Sequence, residues 1–181
     1  MRLLKGKWIL PSIIAAQIVL YSHPVLSANQ GRGEVTMNGR IIASACAIDT
    51  ESVDQTIKME TLPISQVIRD GQSERQAFSI KLVSCVLEKF NPALEDWRYF
   101  EVTFDGREDA GYFGLDGSAK GIALQISDEK GNIAVPGTPM TKGAIHPGEM
   151  IFNYGLRLVG NRQVLKAGEY ASTVRFKMDY Y

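Results

Sequence analysis

Val174-Arg175-Phe176-Lys177-Met178-Asp179-Tyr180-Tyr181 alternates apolar and charged side chains with a period of two. Val174, Phe176, Met178 and Tyr180 therefore share one face of an extended chain, and Arg175, Lys177 and Asp179 share the other. This is the pattern of a strand with one face on a core. No later segment is expected to cover its edge. Working back from this segment, the same period recurs. Phe152, Tyr154, Leu156 and Leu158 repeat it, as do Ile122, Leu124 and Ile126, and Phe100, Val102 and Phe104. Phe78, Ile80 and Leu82 form another such row, and Val35, Met37, Gly39 and Ile41 form the first, within Glu34–Ile42. Each run reads as a half-buried strand.

The separators agree with that reading. Asp70-Gly71, Asp105-Gly106, Asp116-Gly117, Lys130-Gly131-Asn132, Pro136-Gly137 and Ala167-Gly168 are turn chemistry. Gly131 points to a hairpin joining Ile122–Ser127 to Ile133–Val135. Leu62–Arg69 fits either a short helix or a strand beginning at Pro63, and Asn91–Trp97 fits a loop or a helical turn. Short strands separated by turns, with little helix, make an all-β sandwich the expected fold. No repeat, low-complexity tract or domain linker interrupts it.

The first 28 residues stand apart. Arg2, Lys5 and Lys7 precede an uncharged, mostly apolar run from Trp8 to Leu20, and Leu26-Ser27-Ala28 ends in small residues. This is the layout of a secretory signal peptide, with cleavage expected near Ala28. Pro11, Ser12, Gln17, Ser22, His23 and Pro24 interrupt the run, which argues against a spanning helix of about 20 apolar residues. Without Arg2, Lys5 and Lys7, 17 of the 20 basic residues face 20 acidic ones, a net charge near −3. No basic stripe remains, so nucleic acid has no electrostatic footprint here. The remaining residues, 29–181, suffice for one domain. In an exported chain an even count of two cysteines, Cys46 and Cys85, reads as a disulfide. The alternative is two buried thiols.

An apolar edge strand is an aggregation hazard that proteins normally blunt. Two accounts of the closing strand stay open on pattern alone. Either the first and last strands pair in a closed domain, or a neighbour supplies a missing strand.

Several segments resemble chaperone–usher pilins. Gly33-Glu34-Val35-Thr36-Met37-Asn38-Gly39-Arg40-Ile41-Ile42, with Cys46 shortly after, is similar to their N-terminal extension and first strand. Ser52–Ile57 resembles the segment after their first cysteine, and Phe78–Leu82 before Cys85 resembles the strand carrying their second. Gly121–Asp128 with Gly131 resembles their late hairpin. Leu165–Tyr170 and Phe176-Lys177-Met178-Asp179-Tyr180-Tyr181 resemble their closing strand with its penultimate tyrosine. The order and spacing of these segments span essentially all of residues 29–181.

The resemblance implies an incomplete immunoglobulin-like β-sandwich lacking its last strand. It implies a groove beside the C-terminal strand, filled first by a periplasmic pilus chaperone and then by the N-terminal extension of a neighbouring pilin subunit, with an outer-membrane usher handling export to a cell-surface fimbrium. Such strand addition takes affinity from main-chain hydrogen bonds and specificity from alternate side chains entering pockets. On this reading residues 29–45 are the donor extension, with Val35, Met37, Gly39 and Ile41 as its inserted face. Val174, Phe176, Met178, Tyr180 and Tyr181 line the chain's own acceptor groove. Lys120–Ile126 and Asn153–Val159 look most like the terminating, base-anchoring subunit of P pili; a shaft or adaptor subunit is the alternative.

Catalysis has little support. His23 lies in the signal segment and His146 in a His146-Pro147-Gly148 turn, with no nucleophile-elbow pattern. The cysteines are too far apart for a zinc knuckle. Asp105–Asp109 lacks the ligand spacing of a calcium loop, and Gly117–Gly121 lacks that of a phosphate loop. No cofactor is expected. A reading of another class is a self-contained secreted β-sandwich that binds carbohydrate or protein through Trp97, Tyr99 and Tyr112.

Overall fold

The alternating runs pair into two antiparallel sheets. The computed structural model describes residues 33–39, 41 and 43–181; the signal segment at residues 1–28 and the start of the 29–45 extension lie outside the described residues. Two units separate, residues 1–40 and residues 41–181. In the first, residues 33–39 carry no helix or strand and are exposed. Of the strand expected over Glu34–Ile42, the described residues 34–39 and 41 form none, for a physical reason: a strand exists only where a partner satisfies its backbone groups.

In the second unit the strands are β1 (Ala47–Ile48), β2 (Gln76–Cys85), β3 (Tyr99–Asp105), β4 (Glu108–Asp109), β5 (Tyr112–Phe113), β6 (Asp116–Gly117), β7 (Ile122–Asp128), β8 (Gly143–Ala144), β9 (Gly148–Gly160), β10 (Tyr170–Ala171) and β11 (Arg175–Tyr180). One six-stranded sheet has the order β1-β2-β9-β7-β5-β4, and a second has the order β11-β3-β8; β10 and β6 form a separate ribbon. The long β9 is central: Phe78 of β2 pairs with Tyr154, and Leu124 of β7 pairs with Leu158. The register sets Ile80, Leu82, Ile126 and Leu158 fully inside, facing Phe104 of the other sheet. Ala123 and Ser127 on β7 are buried as well, so that strand lies inside on both faces rather than one.

Local chemistry decides the segments left open by periodicity. Leu62–Arg69 resolves as a helix at Ile64–Asp70: Pro63 precedes it, and Gly71 stops it at φ +69° with its N–H bonded to the Val67 carbonyl. A glycine in the left-handed region is the usual helix stop because it has no Cβ to clash. Asn91–Trp97 is a turn and loop. The hairpin after β7 forms, with Gly131 at φ +85° and the Ala134 N–H bonded to the Ile126 carbonyl at 2.9 Å. Its return arm is a single bridge, Ser127 to Ile133, rather than a full strand. Pro136 lacks an N–H donor and closely limits that ladder.

Cys46 and Cys85 are joined as a disulfide. Both are buried, and the bond ties β1 to the end of β2, beside a backbone bond from Val86 N–H to the Ala45 carbonyl at 2.8 Å.

Candidate functional site

An elongated apolar groove of about 1330 Å³ runs between two lengths of backbone. One wall is residues 52–62 and the other is residues 168–176. Phe78, Phe104, Leu115, Leu124, Ile126, Leu156 and Leu158 form its floor, so the groove opens directly onto the core between the sheets. Phe104 anchors that floor. Its ring lies 5.0 Å from Tyr154 and 6.3 Å from Phe78 in edge-on contacts, and 6.4 Å from Phe176. Burial, followed by the nearby Asp128 carboxylate, raises the Tyr154 phenol above its ordinary pKa, so it stays neutral.

The walls share one property. Among the described residues β11 pairs on one side only, with β3, from Arg175 opposite Asp105 to Tyr180 opposite Phe100. It is the outer strand of its sheet. Across the groove, residues 56–62 join no ladder, although Ile57, Met59 and Leu62 turn inward against the core. Both edges therefore present backbone donors and acceptors to the same space, which suits an added strand. Tyr170 crosses it: its hydroxyl donates to the Glu60 carbonyl at 3.2 Å.

Val174 and Phe176 are among the residues lining this groove. Met178 and Tyr180 are not; they are half-buried against the core farther along β11. The Tyr180 ring meets Trp97 at 6.3 Å, and burial raises its phenol, whose oxygen is without a hydrogen-bond partner. Tyr181 continues the pairing with β3 through two backbone bonds with Tyr99, and its hydroxyl donates to Glu101 Oε2 at 2.9 Å. That bond raises the Tyr181 pKa, and Lys142 sits 4.5 Å above the ring. On the outer face of β11, Lys177 and Asp179 pair at 2.9 Å.

Val35, Met37 and Ile41 are almost wholly exposed, at 97%, 93% and 101%. A Cβ added at Gly39 would meet nothing within 4 Å. Sequence reading missed the wall at residues 54–62, although Ile57 and Met59 alternate with Thr56, Lys58 and Glu60. It also missed Tyr170, for which no local signal exists because its partner is 110 residues away.

The residues of the other readings are dispersed. Trp97 packs on Tyr180 under the Lys89 ammonium, 4.0 Å from its ring. Tyr99 belongs to the sheet of β3 and Tyr112 to the six-stranded sheet. His146 is exposed, its backbone N–H directed at the Met150 sulfur. Among the described residues no cluster of three or more His, Cys, Asp or Glu is placed to hold a metal.

No family model matches the chain. In sequence it is 34% identical over 150 residues to the PRS fimbrial minor pilin protein of Escherichia coli, covering 82% of this chain and 77% of that one. It is 33% identical, with the same coverage, to the PAP fimbrial minor pilin protein of Escherichia coli. In structure it is similar to the P pilus rod subunit, with a TM-score of 0.67 and 19% identity over 76% of this chain and 100% of that chain. It is also similar to a chain of a chaperone–usher pilus, with a TM-score of 0.69 and 22% identity over 86% of this chain and 99% of that chain. The structural matches support the immunoglobulin-like sandwich. The relatives that share a third of their residues over most of the length place the chain in one family: it belongs to the fimbrial subunits, or pilins.

Proposed function

We propose that this chain is a non-catalytic structural subunit assembled by donor-strand exchange. The observation that carries this reading is the groove open to the core between the free edge of β11 and residues 56–62. An apolar floor facing solvent is costly, and an inserted strand removes that cost while satisfying both edges. A periplasmic chaperone fills the groove after export and an outer-membrane usher receives the complex; in a chain-extending position a neighbouring subunit's extension then replaces the chaperone.

The chain's own donor is the extension at residues 29–45. Val35, Met37, Gly39 and Ile41 recur at every second residue, matching the pitch at which a strand presents one face. Burying each large apolar side chain contributes about 1.5–3 kcal/mol, so three of them supply a substantial drive, while Gly39 permits close backbone approach. Within the fibre we favour the terminating, base-anchoring position over shaft or adaptor. Support comes from the resemblance of Lys120–Ile126 and Asn153–Val159 to that subunit, and from relatives that are minor pilins.

Donation is tested on the arm itself. Met37→Asp would carry a charge into an apolar groove, where an unpaired carboxylate is strongly disfavoured. Its insertion into a sister subunit's groove should slow by at least about tenfold, measured as displacement of that subunit's chaperone. Unchanged kinetics would exclude residue 37 from the inserted face. The fibre position is tested with extension peptides from sister subunits offered to this chain's chaperone complex. Refusal supports the terminator, and displacement supports a chain-extending subunit.

A further inference from the structure

Among the described residues the groove is crossed at one place, and the crossing is built from unequal sides. On one side Tyr170 is held firmly. The Glu169 carbonyl accepts from the N–H groups of Ser118 and Ala119 at 3.0 and 3.1 Å, and the Glu169 N–H donates to Ser118 Oγ at 3.1 Å. Tyr170 pairs with Gly117, at φ +114°, where a Cβ would come within 2.3 Å of the Glu169 carbonyl oxygen. No side chain other than hydrogen allows that approach. On the other side Glu60 sits in a stretch with no backbone ladder. The Tyr170 hydroxyl thus binds a free wall to a fixed one. The groove continues past this crossing, since Thr61, Leu62 and Gly168 also line it.

We propose that Tyr170 is a strap across the acceptor groove, and that a donor segment seats fully only when its hydroxyl releases the Glu60 carbonyl. This rests on the donor-strand reading above and assigns that site a gate. While closed, the strap occupies an acceptor on the wall an added strand would approach, and places an aromatic ring in its path. At 3.2 Å the bond is longer than the usual O–H···O range, so it is weak enough to open. A gate of this kind favours a donor that is apolar up to the crossing and discriminates by how much of the groove it can fill.

The test uses the mature chain purified with its periplasmic chaperone and a labelled synthetic peptide of residues 33–43 of this chain. Tyr170→Phe keeps the ring and removes the hydroxyl. Uptake of the peptide should rise about threefold to tenfold, the usual scale of one net hydrogen bond, and the amides of residues 56–62 should exchange faster in the variant complex. Tyr170→Met, which also lacks the hydroxyl, should behave alike if the phenylalanine variant is poorly recovered. Uptake equal to wild type in the recovered variant, with unchanged exchange at 56–62, overturns the strap. Failure of the groove itself is read separately: a Phe176→Asp chain that still co-purifies with chaperone would remove the donor-strand reading, whatever Tyr170 does.

Discussion

Replacing both Cys46 and Cys85 by alanine should destabilise the folded domain by about 4 kcal/mol on the chain-entropy treatment of a loop this long. The bond closes a separation of 39 residues. Its position explains why the loss would not be absorbed. β1 contributes only two ladder pairs, Ala47 with Val83 and Ile48 with Leu82, so the cross-link is the main covalent reason the wall beginning at Ile48 stays against β2. Without it, residues 49–55 stay tied to β2 only by hydrogen bonds, from Asp49 N–H to the Lys81 carbonyl, from Lys81 N–H to Ser52 Oγ and from Gln55 Nε2 to the Ser79 carbonyl, and that side of the groove is held less firmly. Thermal unfolding of the chaperone-bound chain should drop by about 10 °C or more, with lower recovery of complex. A midpoint within a degree or two of the native chain would show that the sandwich holds this wall without the bond.

The second large effect is expected at the groove floor. Phe104→Ala removes a side chain that is 2% exposed and that touches the rings of Phe78, Tyr154 and Phe176 together. Truncating a buried phenylalanine costs about 3–5 kcal/mol, from lost transfer energy and the cavity left behind. Because the same ring belongs to the core and to the groove, the variant should lose on both counts. The free domain becomes less stable, and an inserted strand meets a hole instead of a surface. Phe176→Ala, at a half-buried residue on the wall, should cost clearly less stability while still weakening strand binding. Equal losses from the two would contradict the separation of floor from wall. Chemical denaturation of each chaperone complex measures both.

The strands were legible because one face of each had to be apolar. Phe100, Val102 and Phe104 are all buried, as are Ile80 and Leu82, as period two requires. β7 departs from it because a central strand packed on both faces buries Ala123 and Ser127 too, and small residues carry no periodic signal. The helix at Ile64–Asp70 was not decidable from periodicity because seven residues barely complete two turns. The groove was half legible. Val174 and Phe176 line it, yet Met178 and Tyr180 share their period and lie beyond its end. Alternation says which face a side chain takes, and says nothing about where along a strand the opposing element stops. The facing wall and the Tyr170–Glu60 bond depend on tertiary approach across more than a hundred residues, which no local pattern encodes.

On the donor-strand proposal, β11 keeps a free edge beside an apolar groove until another strand fills it. Amide hydrogen exchange on the chaperone-bound chain, before and after replacement by a donor peptide, tests it most directly. With a strand added, alternate amides of Arg175–Tyr180 directed away from β3 should be strongly protected in both complexes, and should exchange fast once the groove is emptied. Protection that persists along that edge with no chaperone and no peptide would contradict the account, because β11 would then be paired within its own chain.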